Sequence, residues 1–127
     1  TGFYLMLTGE TDWVDYSSTS TIVGWKNFTT KIIKYKQIGK LVYVYFFIRG
    51  TSNAASATFT IPQANAEATP VYFTHEQKDN GAANIGAGLG LLAANDSIVT
   101  CHVSLVGGNF TSSGTKEVSG AFCFVCA

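Results

Sequence analysis

Charged residues are scarce in this 127-residue chain, with 8 basic and 8 acidic side chains that together make up 13% of the sequence. No run of like charge occurs. Proteins that bind nucleic acid or anionic membranes through charge need a basic patch, so we expect neither partner. Gly, Ser, Thr, Asn and Ala are abundant instead. The composition therefore predicts a neutral, hydroxyl-rich surface.

Long hydrophobic segments are also missing. The longest apolar run, Leu41 to Ile48, lies between Lys40 and Arg49 and has eight residues, whereas a membrane-spanning helix needs about twenty. The opening TGFYLMLTGE has no basic region and too short an apolar run for a signal peptide. We therefore expect no membrane insertion, and we interpret the chain as a processed product or an excised domain.

Cysteine is rare and odd in number, which argues against a complete disulfide framework. Residues three apart on a strand point to opposite faces, so Cys123 and Cys126 are poorly placed to share a zinc ion, even if Cys101 and His102 are added. Buried free thiols are favoured, with one disulfide or a metal site as the alternatives. We predict no metal site and no cofactor.

Helical periodicity is nearly absent. The best helix candidate, QANAEAT at 63–69, follows Pro62 and precedes Pro70, so it can be one or two turns at most. Elsewhere, short β-branched and aromatic runs are separated by Gly, Asn, Ser and Thr, which is typical of an all-β sandwich or barrel. Strands are expected at residues 3–7, 30–37, 40–49, 57–61, 70–75, 83–88, 97–106 and 118–125.

The segment KIIKYKQIGKLVYVYFFIRG predicts a hairpin with a tight turn at Gly39. The second strand of this hairpin is apolar on both faces. Antiparallel sheets usually leave one face wet, so the second face must meet something else. We predict that this face is a subunit interface; the alternative is a strand covered on both sides within one subunit. The interface residues are Leu41, Tyr43, Tyr45 and Phe47.

Motifs that would carry catalysis are missing. NIGAGLGLLAAND at 84–96 imitates a dinucleotide-binding fingerprint, but leucine occupies the third glycine position. We predict a strand and a glycine-rich turn there. His75 beside Glu76 has no nameable nucleophile and is predicted to be a surface histidine. The carboxylates are scattered, with only Asp12 and Asp15 close, so no acid–base pair can be named. We predict no catalytic residue and no enzyme.

Large aromatic residues offer candidate platforms for a sugar, since aromatic rings stack on the C–H faces of pyranose rings. Trp13, Trp25 and Tyr72 are the candidates. The alternative is that these rings fill the core or an interface.

Several short motifs, taken in order, resemble a β domain of bacteriophage tail and virion-decorating proteins. They are Gly24-Trp25, Tyr35-Lys36-x-x-Gly39-Lys40, Gly50-Thr51-Ser52-Asn53, Phe59-Thr60-Ile61-Pro62, and Thr111-Ser112-Ser113-Gly114-Thr115-Lys116 through Gly120-x-Phe122. The resemblance covers residues 22–125 and implies a homotrimeric fibre tip, spike or knob that binds a receptor or glycan. The sequence departs from the family at Tyr43, Tyr45 and Phe47, where polar residues alternate in the family strand, and at the terminal CFVCA, where an aromatic followed by an acidic residue is expected. The motif positions are structural, so no catalytic or ligand residue is carried over.

We therefore predict an antiparallel, jelly-roll-like β-sandwich that forms a homotrimer. Residues 1–21 are expected to be an N-terminal extension that contains the first strand and contributes to an interface, and residues 22–127 the sandwich domain. The first hypothesis is a non-enzymatic structural protein of a phage or virus-like particle, located on a virion or outside cells. Its partners would be copies of itself, other virion proteins and a host-surface receptor or glycan. The alternatives are a monomeric carbohydrate-binding module of a cell-surface or secreted protein and a β-sandwich glycan hydrolase.

Overall fold

The structure, a computed structural model, describes residues 12–83 and 86–127 of the chain. The strand expected at 3–7 lies outside these residues. No helix occurs in the described part, and the segment considered for a short helix instead places Asn65 in an isolated bridge with Cys126. The predicted all-β fold is confirmed. The strands are β1 Val14–Asp15, β2 Trp25–Ile38, β3 Leu41–Ser52, β4 Thr58–Thr60, β5 Val71–Asp79, β6 Ala82–Ala83, β7 Gly88–Leu92, β8 Ile98–Cys101 and β9 Thr115–Val125.

These strands form one antiparallel sheet that curls over on itself. Its order is β1-β2-β3-β9-β5-β7-β8-β4, with β6 paired to β5. Strand β5 makes the bend, because its first half, Val71 to His75, pairs with β7 and its second half, from Glu76, pairs with β9. At the opposite margin an isolated bridge joins Val23 to Thr58. The curled sheet is consistent with the predicted β-sandwich.

The β2–β3 hairpin has the predicted position and turn. Ile38 pairs with Leu41, so Gly39 and Lys40 form a two-residue loop. Gly39 has a φ of 59°, the positive value that a type II′ hairpin requires at its first loop residue. Both strands extend beyond the predicted ranges, and β9 pairs with β3 along nearly its full length. The apolar strand is therefore central, between β2 and β9.

The core lies inside the curl and is centred on Phe46. Its ring centroid lies 4.9 Å from that of Phe59, 5.9 Å from that of Phe73 and 6.5 Å from that of Phe122. These rings come from four strands, so their contacts tie the two halves of the sheet together. Full burial of an apolar side chain of this size contributes roughly 1.5–3 kcal/mol.

The glycine-rich segment forms strand β7, which lies later in the chain than the strand expected at 83–88. Its glycines make room for rings of the neighbouring strand β5. A Cβ at Gly90 would lie 2.3 Å from the ring of Phe73, and one at Gly88 would lie 2.3 Å from the ring of His75. The strand expected at 97–106 is also shorter, because β8 ends at Cys101 and a turn follows.

A buried ammonium fixes the loops at one end of the fold. Lys116 is fully buried. Its Nζ donates hydrogen bonds to the carbonyl oxygens of Gly24 at 2.9 Å, Ala54 at 2.9 Å and Ser56 at 2.6 Å. The same Nζ lies 4.8 Å from the centroid of the Trp25 ring, at cation–π distance. One side chain on β9 thus holds the lead-in to β2 and the β3–β4 loop.

Candidate functional site

The outer surface of the central strands carries a group of aromatic and apolar side chains, here called the Trp13 face. Cross-strand pairing places them side by side: Phe47 opposite Ile32, Tyr45 opposite Ala121, and Tyr43 opposite Cys123. Tyr43 is 39% exposed and Trp13 is 49% exposed. The Trp13 face consists of Trp13, Ile32, Lys34, Leu41, Tyr43, Tyr45, Phe47, Ala121 and Cys123.

The four residues predicted as a subunit interface all belong to this face. They alternate along β3 with Val42, Val44, Phe46 and Ile48, which are buried in the core. The apolar strand therefore has one face in the core and one on the outside of the described fold. Whether copies of the chain meet there stays a prediction.

Short strand β1 positions Trp13 over this face. Asp15 of β1 pairs with Lys34 of β2. The Asp15 carboxylate accepts hydrogen bonds from the Oγ and the backbone N–H of Ser17, and these bonds, with the charge of Lys34, lower the pKa of Asp15. Ser17 Oγ in turn accepts a hydrogen bond from the backbone N–H of Ile33 at 2.8 Å. The segment that follows Trp13 is thus fastened to the edge of β2.

Two shallow hollows flank the indole of Trp13. One, of about 290 Å³, is lined by Tyr43, Ala121 and Cys123. The other, of about 510 Å³, is lined by Ile32, Lys34, Tyr45 and Ala121. The Lys34 Nζ lies 5.9 Å from the centroid of the Trp13 ring and 5.3 Å from that of Tyr45. The face can therefore accept apolar groups beside a cation that is supported by two aromatic rings.

A cluster of charged residues borders the Trp13 face, and no local sequence pattern indicates it. Glu117 is buried, with its carboxylate 3.7 Å from Arg49 Nε and 3.9 Å from Lys78 Nζ. Ser119 Oγ donates a hydrogen bond of 3.1 Å to Glu76. Burial is the main cause that raises the pKa of Glu76, and the interaction with Glu117 is the next. Only the pairing of β5 with β9 brings these carboxyl groups together.

The three aromatic residues predicted as sugar platforms lie apart. Trp13 belongs to the face described above. Trp25 is 5% exposed and donates a 3.0 Å hydrogen bond from Nε1 to the carbonyl of Lys116, so its ring is part of the core. Tyr72 is 61% exposed, on the half of β5 that pairs with β7. Trp13 and Tyr72 are thus the two predicted platforms with exposed rings.

The cysteines are all free thiols in the structure. Cys101 and Cys126 are buried, as predicted, whereas Cys123 is exposed on the Trp13 face. Burial raises the pKa of the Cys101 thiol. In the described ranges, no group of three or more His, Cys, Asp or Glu residues is arranged to hold a metal ion, and no helix is long and apolar enough to cross a membrane.

His75 differs from its prediction as a surface residue. It is only 3% exposed. The reason is that β5 turns its odd-numbered residues, Val71, Phe73, His75 and Gln77, toward the interior of the curl. The exposed side chain at this point is the neighbouring Glu76.

Comparison with known proteins gives a likeness of fold. No protein-family model matches the chain, and no curated protein matches its sequence. Among solved structures, the chain is similar to the T1L reovirus attachment protein sigma1, solved in complex with α-2,3-sialyllactose. The match has a TM-score of 0.52 and 8% sequence identity, and it covers 93% of this chain and 67% of that chain. The chain thus shares its β-rich fold with a viral attachment protein.

Proposed function

We propose that the chain is a non-enzymatic structural domain of a phage or virus-like particle, exposed on the virion as a fibre tip, spike or decoration protein. The observation that carries this proposal is the likeness of fold to a viral attachment protein over 93% of the chain. The ordered motifs that resemble phage tail and decoration proteins support the same class. The low charge and abundant Ser and Thr suit a surface that faces solvent.

In this proposal the Trp13 face joins copies of the chain in a homotrimer of jelly-roll-like sandwiches. The chemistry of the Trp13 face supports such an interface. Tyr43 and Tyr45 combine apolar rings with polar hydroxyl tips, a composition enriched at protein interfaces. An exposed apolar strand is otherwise an aggregation hazard. A neighbouring copy would cover the second side of β3.

Receptor binding is the remaining part of the proposal, and we assign it to a host-surface glycan. The viral attachment protein of similar fold was solved with a sialylated sugar. Tyr72 lies away from the Trp13 face and would remain accessible after assembly. Its ring, 61% exposed, is the platform that we propose for a sugar.

A monomeric carbohydrate-binding module is the second candidate. The exposed rings of Trp13 and Tyr72 favour it, because both would be free for sugars in a single chain. A glycan hydrolase has less support. Glycosidase carboxyl groups stand about 5–9.5 Å apart with the scissile bond between them, whereas Glu76 and Glu117 lie on paired strands, close enough for Glu117 to raise the pKa of Glu76.

Light scattering coupled to size exclusion, at micromolar concentration, combined with a glycan array tests these candidates. We expect a trimer that binds at least one glycan. Tyr72→Ala should weaken that binding at least about tenfold, the loss of roughly 1.4 kcal/mol of stacking, while Tyr72→Phe keeps the ring and the binding.

The outcomes separate the candidates. A monomer that binds glycans through Trp13 and Tyr72 would favour the carbohydrate-binding module. A monomer that binds no glycan would contradict both, and turnover of a polysaccharide abolished by Glu76→Gln would establish an enzyme instead.

A further inference from the structure

His75 is buried with one ring nitrogen that has no partner. Its Nδ1 lies 2.8 Å from the carbonyl oxygen of Glu76, so Nδ1 carries the proton and donates it. Its Nε2 is buried and has no hydrogen-bond partner among the described residues. The imidazole packs between aromatic rings, with its centroid 6.4 Å from that of Phe46 and 6.3 Å from that of Phe73. Burial in this aromatic setting favours the neutral ring over the charged one.

His75 lies where β5 changes its pairing partner from β7 to β9. His75 is the last residue of β5 that pairs with β7, through Gly88, and Glu76 is the first that pairs with β9, through Ser119. The ring also fills the space that a side chain would occupy at Gly88, and a Cβ on Gly120 would lie 3.1 Å from the Cβ of His75. It thus lies at the point where one strand passes between the two halves of the sheet.

We propose that His75 is an acid-responsive latch. Uptake of a proton at Nε2 loosens the pairing of β5 with β7 and opens that side of the curled sheet, while the β2, β3 and β9 strands keep their pairing. The inference is independent of the proposed function, since it rests on the fold of a single chain.

The groups around His75 set the direction of the response. Burial is the main cause that lowers the pKa of His75, and the positive charge that His102 can carry lowers it further. The carbonyls of Glu76, Leu89 and His102 act in the opposite direction but are outweighed. On β3 the ring faces Phe46, and on β9 Gly120 faces the Cβ of His75; neither residue titrates.

The sign of the effect follows from proton linkage. The unfolded chain binds a proton at His75 near pH 6.5, whereas the closed structure binds it only at lower pH. Below pH 6.5 the open or unfolded forms therefore hold more protons, and the closed form loses stability as the pH falls. Above pH 6.5 the latch is fully closed.

Hydrogen exchange with mass spectrometry on the full chain at pH 7.5 and 5.0, corrected for intrinsic exchange rates, tests the proposal. We expect protection of the 88–92 peptide to fall at pH 5.0 relative to the 41–48 peptide, by up to about tenfold for each pH unit below 6.5. His75→Gln should abolish this difference, and His75→Phe, which keeps the ring packing, should do the same.

The chain has two histidines, so His102→Gln is the matched control; it should still lose protection in acid, though less than the wild type, because the charge of His102 that lowers the pKa of His75 is removed. Glu76→Gln separates the effect of the neighbouring carboxyl group. The proposal is wrong if His75→Gln and His75→Phe still lose protection on acidification, or if the wild-type 88–92 peptide stays protected. An NMR titration of the His75 imidazole decides the matter even if the variants fail to fold, because its midpoint must lie below the value near 6.5 of a histidine in an unfolded chain.

Discussion

At the scale of single residues, the ammonium of Lys116 joins parts of the chain that are far apart in sequence. Its carbonyl partners lie 92, 62 and 60 positions earlier. Of these, Ser56 has no other hydrogen-bond donor to its carbonyl among the described contacts. The polar, glycine-containing segment GTKEVSG predicts a solvent-exposed lysine. The burial of Lys116 therefore depends on contacts that only the fold creates.

Lys116→Met should lower the free energy of unfolding by about 2 kcal/mol at pH 7, because it leaves the Ser56 carbonyl without a donor and removes the hydrogen bonds to Gly24 and Ala54. Lys116→Arg keeps the charge but not the compact ammonium, and it should also destabilise the protein because its longer, planar head must fit the same enclosed site. Urea denaturation followed by tryptophan fluorescence measures both. Wild-type stability in the methionine variant would show that the three hydrogen bonds are energetically neutral.

The same residue predicts a pH dependence. Burial lowers the pKa of Lys116 to about 8, below the value near 10.5 that it has in the unfolded chain. Between pH 8 and 10.5 the unfolded chain therefore binds more protons, so the stability of the wild type rises with pH relative to Lys116→Met. This comparison removes the contribution of other titrating groups shared by the two proteins.

At the scale of elements, the β2–β3 hairpin was the most predictable part of the molecule. Its alternation and its turn at Gly39 are local signals that the fold preserves. The start of β9 was missed by three residues, because Lys116 and Glu117 resemble loop residues until their buried partners are known. Strand β7 was misplaced because its glycines mark close contact with rings of β5, which no local pattern reveals.

The candidate site also combines residues that a local pattern predicts with residues that only strand pairing brings together. Tyr43 and Tyr45 were predicted from the alternation of one strand, and they do share an outer face. The position of Trp13 beside them depends on the pairing of β1 with β2, and the contact of Glu76 with Glu117 depends on the pairing of β5 with β9. Those pairings join segments separated by about twenty to forty residues, so sequence spacing gave no indication of them.

Tyr45→Asp should dissociate the proposed trimer or prevent folding, because it removes the ring and buries in the interface a carboxylate whose desolvation the neighbouring Lys34 offsets only in part. Tyr45→Phe is the matched control and should stay assembled, since it keeps the ring next to Lys34. Native mass spectrometry reports the oligomer and circular dichroism the fold. If the aspartate variant remains folded and trimeric, the Trp13 face is not the interface.

At the scale of the whole molecule, closure of the curled sheet depends on close backbone contact near Gly24. The bridge between Val23 and Thr58 brings the two margins together there. Gly24 has a φ of 119°, and a Cβ on it would lie 2.1 Å from the carbonyl oxygen of Ser56. No residue with a side chain fits this position without moving the backbone.

Gly24→Ala should therefore destabilise the fold by about 3 kcal/mol, from strain and overlap together. Gly39→Ala is the matched control. It also has a positive φ, but no atom lies within 4 Å of its added Cβ, so the cost should be about 1 kcal/mol. Thermal denaturation of the two variants compares them, and equal losses would show that closure at Gly24 tolerates a side chain.

The exposed thiol of Cys123 gives the molecule a built-in reporter. Cys101 and Cys126 are buried, so a maleimide dye should react at one position per chain without any substitution. That position lies beside Trp13, whose fluorescence a dye can quench. The labelled wild-type chain can therefore be used to follow, in real time, whatever comes to cover this surface.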